Sequence, residues 1–227
     1  MIRSARIASL RRLGCLAILS LAAPAHADEQ VWLAGIAQGP IKGKLITWIE
    51  VQPRFTDGGD RLGQTILRPA VGVQLNPAAT LLLGYAYVES NPDGLPARRE
   101  HRTWQQAQVR LAGTPGKAVL VSRTRLEQRF LEGADEDGWR LRQFLRGQYW
   151  LSEKWSLIGV SEAFVGLDST RWGQRSGLEQ VRNFAAVGHA ITPRITLEAG
   201  YLNQRLVRPG ADGTNHVLNL NLFYRLG

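Results

Sequence analysis

The chain has one cysteine and one methionine in 227 residues. The cysteine, Cys15, falls inside the N-terminal leader, so the chain beyond it has no thiol. That excludes a disulfide framework, a cysteine-ligated metal and a thiol nucleophile. Lysine is nearly as scarce: past residue 27 only Lys42, Lys44, Lys117 and Lys154 occur, and arginine carries the positive charge. No apolar run reaches the roughly 18–20 residues that a membrane-spanning helix needs. Histidine past the leader is limited to His101, His189 and His216. There is no His-x₃-His spacing, no G-x-S-x-G and no Gly-rich phosphate loop. No metal and no cofactor is therefore expected.

What is present begins with a targeting segment. Arg3, Arg6, Arg11 and Arg12 form a basic start, Leu13 to Ala22 is a short apolar run, and Ala25-His26-Ala27 is an A-x-A cleavage pattern. This predicts a secretory signal peptide over 1–27, cleaved after Ala27, and a single domain over 28–227. Cleavage removes four arginines and no acidic residue, taking the formal charge from +9 to +5. A basic exported chain whose arginines alternate, rather than cluster among stacking aromatics, is not expected to bind nucleic acid.

The pattern past the leader is β throughout. In Val119 to Gln148, Arg123, Arg125, Glu127 and Arg129 fall on alternate positions, as do Arg140, Arg142 and Arg146. A period of two puts each set on one face of a strand. Alternating segments run from Leu45 to Phe55, Gln64 to Leu75, Leu81 to Val88, Glu100 to Leu111, Trp155 to Leu167, Gln180 to Ile191, Ile195 to Gln204 and His216 to Leu226. Turn chemistry separates them: TDGGD at Thr56–Asp60, NPA at Asn76–Ala78, SEK at Ser152–Lys154 and TPR at Thr192–Arg194. After Thr56–Asp60 the connections alternate short and long, the asymmetry of an outer-membrane barrel. The expected fold is all-β: one up-and-down antiparallel transmembrane β-barrel of about ten strands, with twelve as the alternative. Asp28 to Gln38 is weakly patterned. It is expected to lie in the periplasm or tuck inward, with both chain ends on the periplasmic side.

Alternation alone does not say which face is outside, because a soluble barrel alternates too. Export, strands of 11–14 residues and aromatics near strand ends (Phe130, Trp139, Tyr149, Trp150, Trp155, Tyr224) favour the membrane version. The final strand also ends with Tyr224 and Leu226 on its apolar face. An arginine facing lipid costs about 2–4 kcal/mol at mid-bilayer. Six on two adjacent strands reach roughly 12–24 kcal/mol, more than the typical net stability of about 5–15 kcal/mol. The charges must therefore line the lumen: Glu50, Arg54, Arg68, Glu100, Arg102, Arg110, Arg123, Arg125, Glu127, Arg129, Arg140, Arg142, Arg146, Glu162, Arg182 and Glu198. The same assignment points Ser122, Thr124 and Gln128 outward.

The residues also resemble a family. SRTRLEQRF (Ser122–Phe130) and RLR (Arg140–Arg142) are similar to segments of the exported β-barrel family called domain of unknown function 2490. IEVQPRF, LRPAVG, LGYAY, EHRTWQQ, SEAF, LEQVR, AGYLNQ and HVLNLNL follow in the family's order over nearly the whole chain past the leader. Val181 stands where the family usually has Asn. The resemblance implies an outer-membrane barrel and brings no established activity.

The function expected from these readings is an integral outer-membrane barrel of a Gram-negative bacterium, structural, with an arginine–glutamate lumen that neutralises itself and largely plugs. A small anion-preferring pore is one alternative. A lipid-modifying barrel enzyme and a soluble periplasmic lipocalin-like binder are the others. Barrel lipases need a nucleophile, a histidine base and an orienting acid. His216 shares the apolar face of the last strand, and His101 and His189 have no clearly paired serine, so no catalytic residue is assigned and no enzyme is expected. Expected partners are outer-membrane lipid, lipopolysaccharide (through Arg98, Arg99, Arg171 and Arg175 in the loops) and the barrel-assembly machinery. The barrel is expected to be a monomer.

Overall fold

The structure, a computed structural model, describes residues 27–227. The leader and its cleavage pattern fall outside those residues, apart from Ala27 itself. Eleven strands form one closed barrel: β1 (Ala27–Lys42), β2 (Leu45–Thr56), β3 (Arg61–Asn76), β4 (Ala79–Ser90), β5 (Arg98–Thr114), β6 (Ala118–Leu131), β7 (Asp137–Trp150), β8 (Trp155–Gly166), β9 (Gly177–Ala190), β10 (Ile195–Leu206) and β11 (Gly213–Arg225). Consecutive strands pair antiparallel. The barrel closes between β1 and β11, and that pairing is parallel, with Leu33 opposite Leu220 and Ile36 opposite Phe223. No helix among the described residues is long and apolar enough to cross a membrane, which says nothing about crossing by strands.

The all-β barrel agrees with the sequence pattern, and the strand number lies between the ten and twelve expected. The difference is the lead-in. Asp28 to Gln38 is neither tucked in nor outside the sheet; it is part of a 16-residue strand. Its alternation is hard to read because both faces are apolar. Trp32, Ala34 and Ile36 are buried inside, while Leu33 and Gly35 face out. An odd strand count also separates the ends. The described chain starts at the rim that carries the longer connections (57–60, 91–97, 132–136, 167–176 and 207–212) and finishes at the rim of the short turns (43–44, 77–78, 115–117, 151–154 and 191–194).

The outside is apolar. Ile49, Val71, Leu83, Leu145, Leu157 and Leu218 are among many large aliphatic side chains exposed there. Soluble monomers rarely expose contiguous apolar patches beyond a few hundred Å². Three polar residues expected to face out do so. Gln128 pairs with Gln105 at 3.1 Å and with Thr103, and Gln143 pairs with Thr124 (2.6 Å) and Ser122 (2.8 Å). Each outward amide therefore has partners across the strands.

Inside, one wall is apolar: Ile66, Ala70, Leu82, Ala86, Val88 and Trp104 form a buried cluster on β3–β5. Trp104 is fully buried, and its indole lies where a Cβ on Gly84 would be, 2.2 Å from that position. Glycine is required there by close approach. Pro69 sits within β3 in a barrel with no open edge, where proline is unusual. The β3–β4 ladder passes over Arg68 and Pro69, resuming at Ala70 opposite Gly84.

Candidate functional site: the charged lumen

The site is built by register. On β5, β6 and β7 the inward residues Gln106, Arg125 and Arg142 stand side by side, as do Trp104, Glu127 and Arg140. Arg125 and Arg142 are thus like charges directly opposed, which is destabilising across a strand pair. Glu127, one step along, resolves the repulsion. It accepts from Arg140 Nε (3.0 Å) and Nη2 (2.5 Å) and from Arg142 Nη1 (2.7 Å), and lies 3.6 Å from Arg125. Arg125 turns its remaining donors to Gln106 Oε1 (2.9 and 2.6 Å) and stacks 4.0 Å above Trp104. Glu127 is 1% exposed.

Glu162 on β8 is a second node. It accepts from Arg142 Nε and Nη2 (3.1 and 2.8 Å) and from Arg123 Nη2 (3.1 Å). Arg142 thereby joins the two carboxylates. Nearer the loop rim, Glu100 holds Arg102 (2.7 Å) and Arg129 (2.6 Å). Glu50 pairs with Arg68 at 2.6 Å and Glu198 with Arg146 at 2.6 Å. Crowded bidentate pairing of this kind suits the planar guanidinium far better than lysine. It gives the scarcity of lysine a structural reason.

Two cavities in the lumen have no lining residue in common. One, about 490 Å³, extends to the short-turn rim and is lined by Trp32, Glu50, Arg54, Arg182, Glu198 and Arg225 among others. The second, about 580 Å³, lies at the loop rim with Glu100, Arg129, Gln174, Arg175 and Glu179 on its walls. Trp104, Gln106, Glu127, Arg140, Phe164, Gln180 and Gln204 are buried and line neither.

The loop over 167–176 folds onto the loop rim. Gln174, 3% exposed, donates to the Trp139 carbonyl (2.9 Å) and accepts from Arg129 Nη1 (3.0 Å). Trp172 lies 5.0 Å from the Arg129 guanidinium and donates its indole N–H to the Glu136 carbonyl (2.8 Å). The backbone N–H and Nε of Arg171 donate to Glu136 (2.8 and 2.6 Å). Those bonds hold the Glu136 carboxyl below its ordinary value. Asp212, in the last loop, is lowered in the same way by Arg205 and by the backbone of Arg208.

Of the sixteen residues expected inside, ten are buried: Glu50, Arg68, Glu100, Arg102, Arg125, Glu127, Arg140, Arg142, Glu162 and Glu198. Arg54, Arg123, Arg129, Arg146 and Arg182 are half-buried and line one cavity or the other. Arg110 shares the inward face of β5 but lies beside a bulge at its far end, is half-buried and lines neither cavity. The loop arginines are partly engaged within the chain: Arg99 with Glu89 (3.1 Å), Arg171 with Glu136, and Arg98 with the Trp172 carbonyl (3.2 Å). Arg175 lines the loop-rim cavity. His101 meets Tyr85 (2.5 Å) and Glu132 (3.0 Å), His216 meets Tyr201 (2.5 Å), and the His189 ring lies tilted against Trp155, centroids 4.1 Å apart. None of the three has a serine among those partners. Among the described residues no group of three or more His, Asp, Glu or Cys is placed to hold a metal.

Glu179 was hidden from the pattern. It reads as part of the loop from Asp168, yet it approaches Arg140 (3.4 Å) and Arg129 (3.7 Å). A register shift at Phe164/Val165 allows Glu179 and Gln180, neighbours in sequence, both to reach inside. Trp32 was missed with its strand. With Glu179 counted, the eleven arginines expected inside face six glutamates.

Residues 29–215 match the family described as Protein of unknown function (DUF2490). An uncharacterized protein of Methylorubrum extorquens is 40% identical over 203 residues, covering 87% of this chain and 88% of its own length. Among solved structures, the NanC porin aligns with a TM-score of 0.52 at 10% identity, over 88% of this chain and 99% of that one. At that identity the likeness is one of fold.

Proposed function

We propose, from the premise that the chain belongs to the DUF2490 family, that it is an integral outer-membrane barrel whose lumen is closed at the waist. One observation carries the reading: the barrel is inside out relative to a soluble protein, with aliphatic side chains outside and paired charges within. In lipid the outer face needs no cover, and most of the inner charges pair with one another. The short turns then face the periplasm and the longer connections, with the start of β1, face outward. The barrel acts as a monomer among outer-membrane lipid and lipopolysaccharide, is inserted by the barrel-assembly machinery, and has a structural rather than catalytic role.

Fractionation tests it. The protein should pellet with outer membranes, resist carbonate extraction and migrate faster unboiled than boiled. Recovery as soluble periplasmic material with no such mobility difference would overturn the reading in favour of a soluble binder.

A second reading, a small anion-preferring pore, draws on the excess of arginine and on the cavities at both ends. Planar bilayers separate the two. The closed lumen predicts a silent bilayer from correctly folded barrel; steady conductance with anion preference selects the pore.

A further inference from the structure

We propose that the cavity opening at the short-turn rim is a binding site for a small organic carboxylate, held at its inner end by Arg182 and Arg54 against the indole of Trp32. Arg182 stands opposite Glu162 on β8 and Gln204 on β10. Glu162 is already taken by Arg123 and Arg142. Among the described residues no carboxylate lies within 4.0 Å of Arg182, and its Nε is sealed from solvent without an acceptor. Its guanidinium instead lies over Phe164 (4.5 Å) and Trp32 (4.9 Å).

Arg54 lies over the same indole at 3.8 Å. Its partners are neutral amides, Gln52 (2.7 Å) and Gln64 (2.8 Å), and its Nε also lacks an acceptor. Two cations therefore share one ring, and among the described residues neither has a carboxylate within 4.0 Å. Like charges in a low-dielectric interior repel, and a guanidinium fork matches a carboxylate with two parallel bonds. A bound carboxylate supplies the missing charge.

The surroundings say what kind of carboxylate. Phe184 and Leu202 pack with Trp32 in a buried apolar cluster, and both line the cavity. A polar head at the arginines and an apolar body on that wall fit together. About 490 Å³ lies in the range of small-molecule sites. The ligand enters past Pro193 and Arg225 at the rim. The proposal rests on the closed-lumen reading only for that route. Bilayer conductance tests the closure and the isotherm below tests the site, so each can fail alone.

The test is titration calorimetry on the full barrel folded in detergent micelles. The probes are benzoate, inorganic phosphate and benzyl alcohol. Benzoate should bind with one-to-one stoichiometry, at least about tenfold more tightly than phosphate, and benzyl alcohol should give only micelle partitioning. Arg182→Gln should weaken benzoate at least about tenfold, as loss of one member of a buried charge pair does. Arg54→Gln should weaken it too and serves if Arg182→Gln does not fold. Arg110→Gln, outside the cavity, should leave it unchanged. Benzoate binding no tighter than phosphate, or unaffected by both cavity substitutions, would overturn the proposal.

Discussion

Glu127→Gln removes one buried charge from the lumen while keeping the side chain's shape. Glu127 is 1% exposed, accepts three hydrogen bonds from Arg140 and Arg142, and faces Arg125 at 3.6 Å. An amide keeps one acceptor oxygen and presents an NH₂ donor to a guanidinium. Arg125 and Arg142, opposed across β6 and β7, lose the carboxylate that separates them. Breaking a buried pair by removing one partner costs about 3–5 kcal/mol. Against a typical net stability of about 5–15 kcal/mol, that is a large share. The assay is urea unfolding in lipid vesicles, followed by loss of the fast-migrating unboiled band. The midpoint should fall steeply for Glu127→Gln. Adding Arg125→Gln should recover part of the loss, because among the described residues Glu127 is the one carboxylate within 4.0 Å of Arg125. Glu136→Gln, in an exposed loop pair, should leave the global midpoint unchanged. A Glu127→Gln shift no larger than that of Glu136→Gln would refute the claim that Glu127 and its arginines form a buried, mutually dependent network.

Other consequences are equally direct. Gly84→Ala would place a Cβ 2.2 Å from the Trp104 ring; overpacking of this kind costs about 1–3 kcal/mol, readable in the same urea assay, and a neutral result would contradict the packing. Leu33→Cys with Leu220→Cys, both outward and opposed across the β1–β11 closure, should form a disulfide in the folded barrel; failure to cross-link would favour a ten-strand closure without β1. The Glu136 carboxyl is held below its ordinary 4.5 by Arg171. A depressed acid contributes stability above its unfolded value and loses it as pH falls through the folded one, so the Arg171 amide should be protected from hydrogen exchange near neutrality and lose protection only below about pH 4.5. Glu136→Gln should abolish that dependence; protection unchanged into strong acid would argue against the contact.

The sequence pattern was most legible where the two faces of a strand differ in kind. Arg123 to Arg129 and Arg140 to Arg146 alternate with apolar or uncharged residues, so their inward placement followed from the strand period and the cost of arginine in lipid. β1 was not legible because Trp32, Ala34 and Ile36 face inward while Leu33 faces outward; hydropathy cannot separate two apolar faces. Closure by a parallel pairing leaves no local mark in either strand. Glu179 reached the lumen through a bulge, and a bulge shifts the period by one without a distinctive residue. Pairing was beyond the pattern for a different reason. That Glu127 serves Arg140 and Arg142 while Glu162 serves Arg123 depends on register between strands, and period alone carries no register.

In the proposed membrane barrel the apolar face meets lipid and the charges point inward. Spin labels at each position from 140 to 146 on β7, with the barrel reconstituted in vesicles, test it most directly. Accessibility to lipid-dissolved oxygen should peak at Leu141, Gln143 and Leu145 and fall at Arg140, Arg142, Phe144 and Arg146. The opposite phase, or no period of two, would contradict the account.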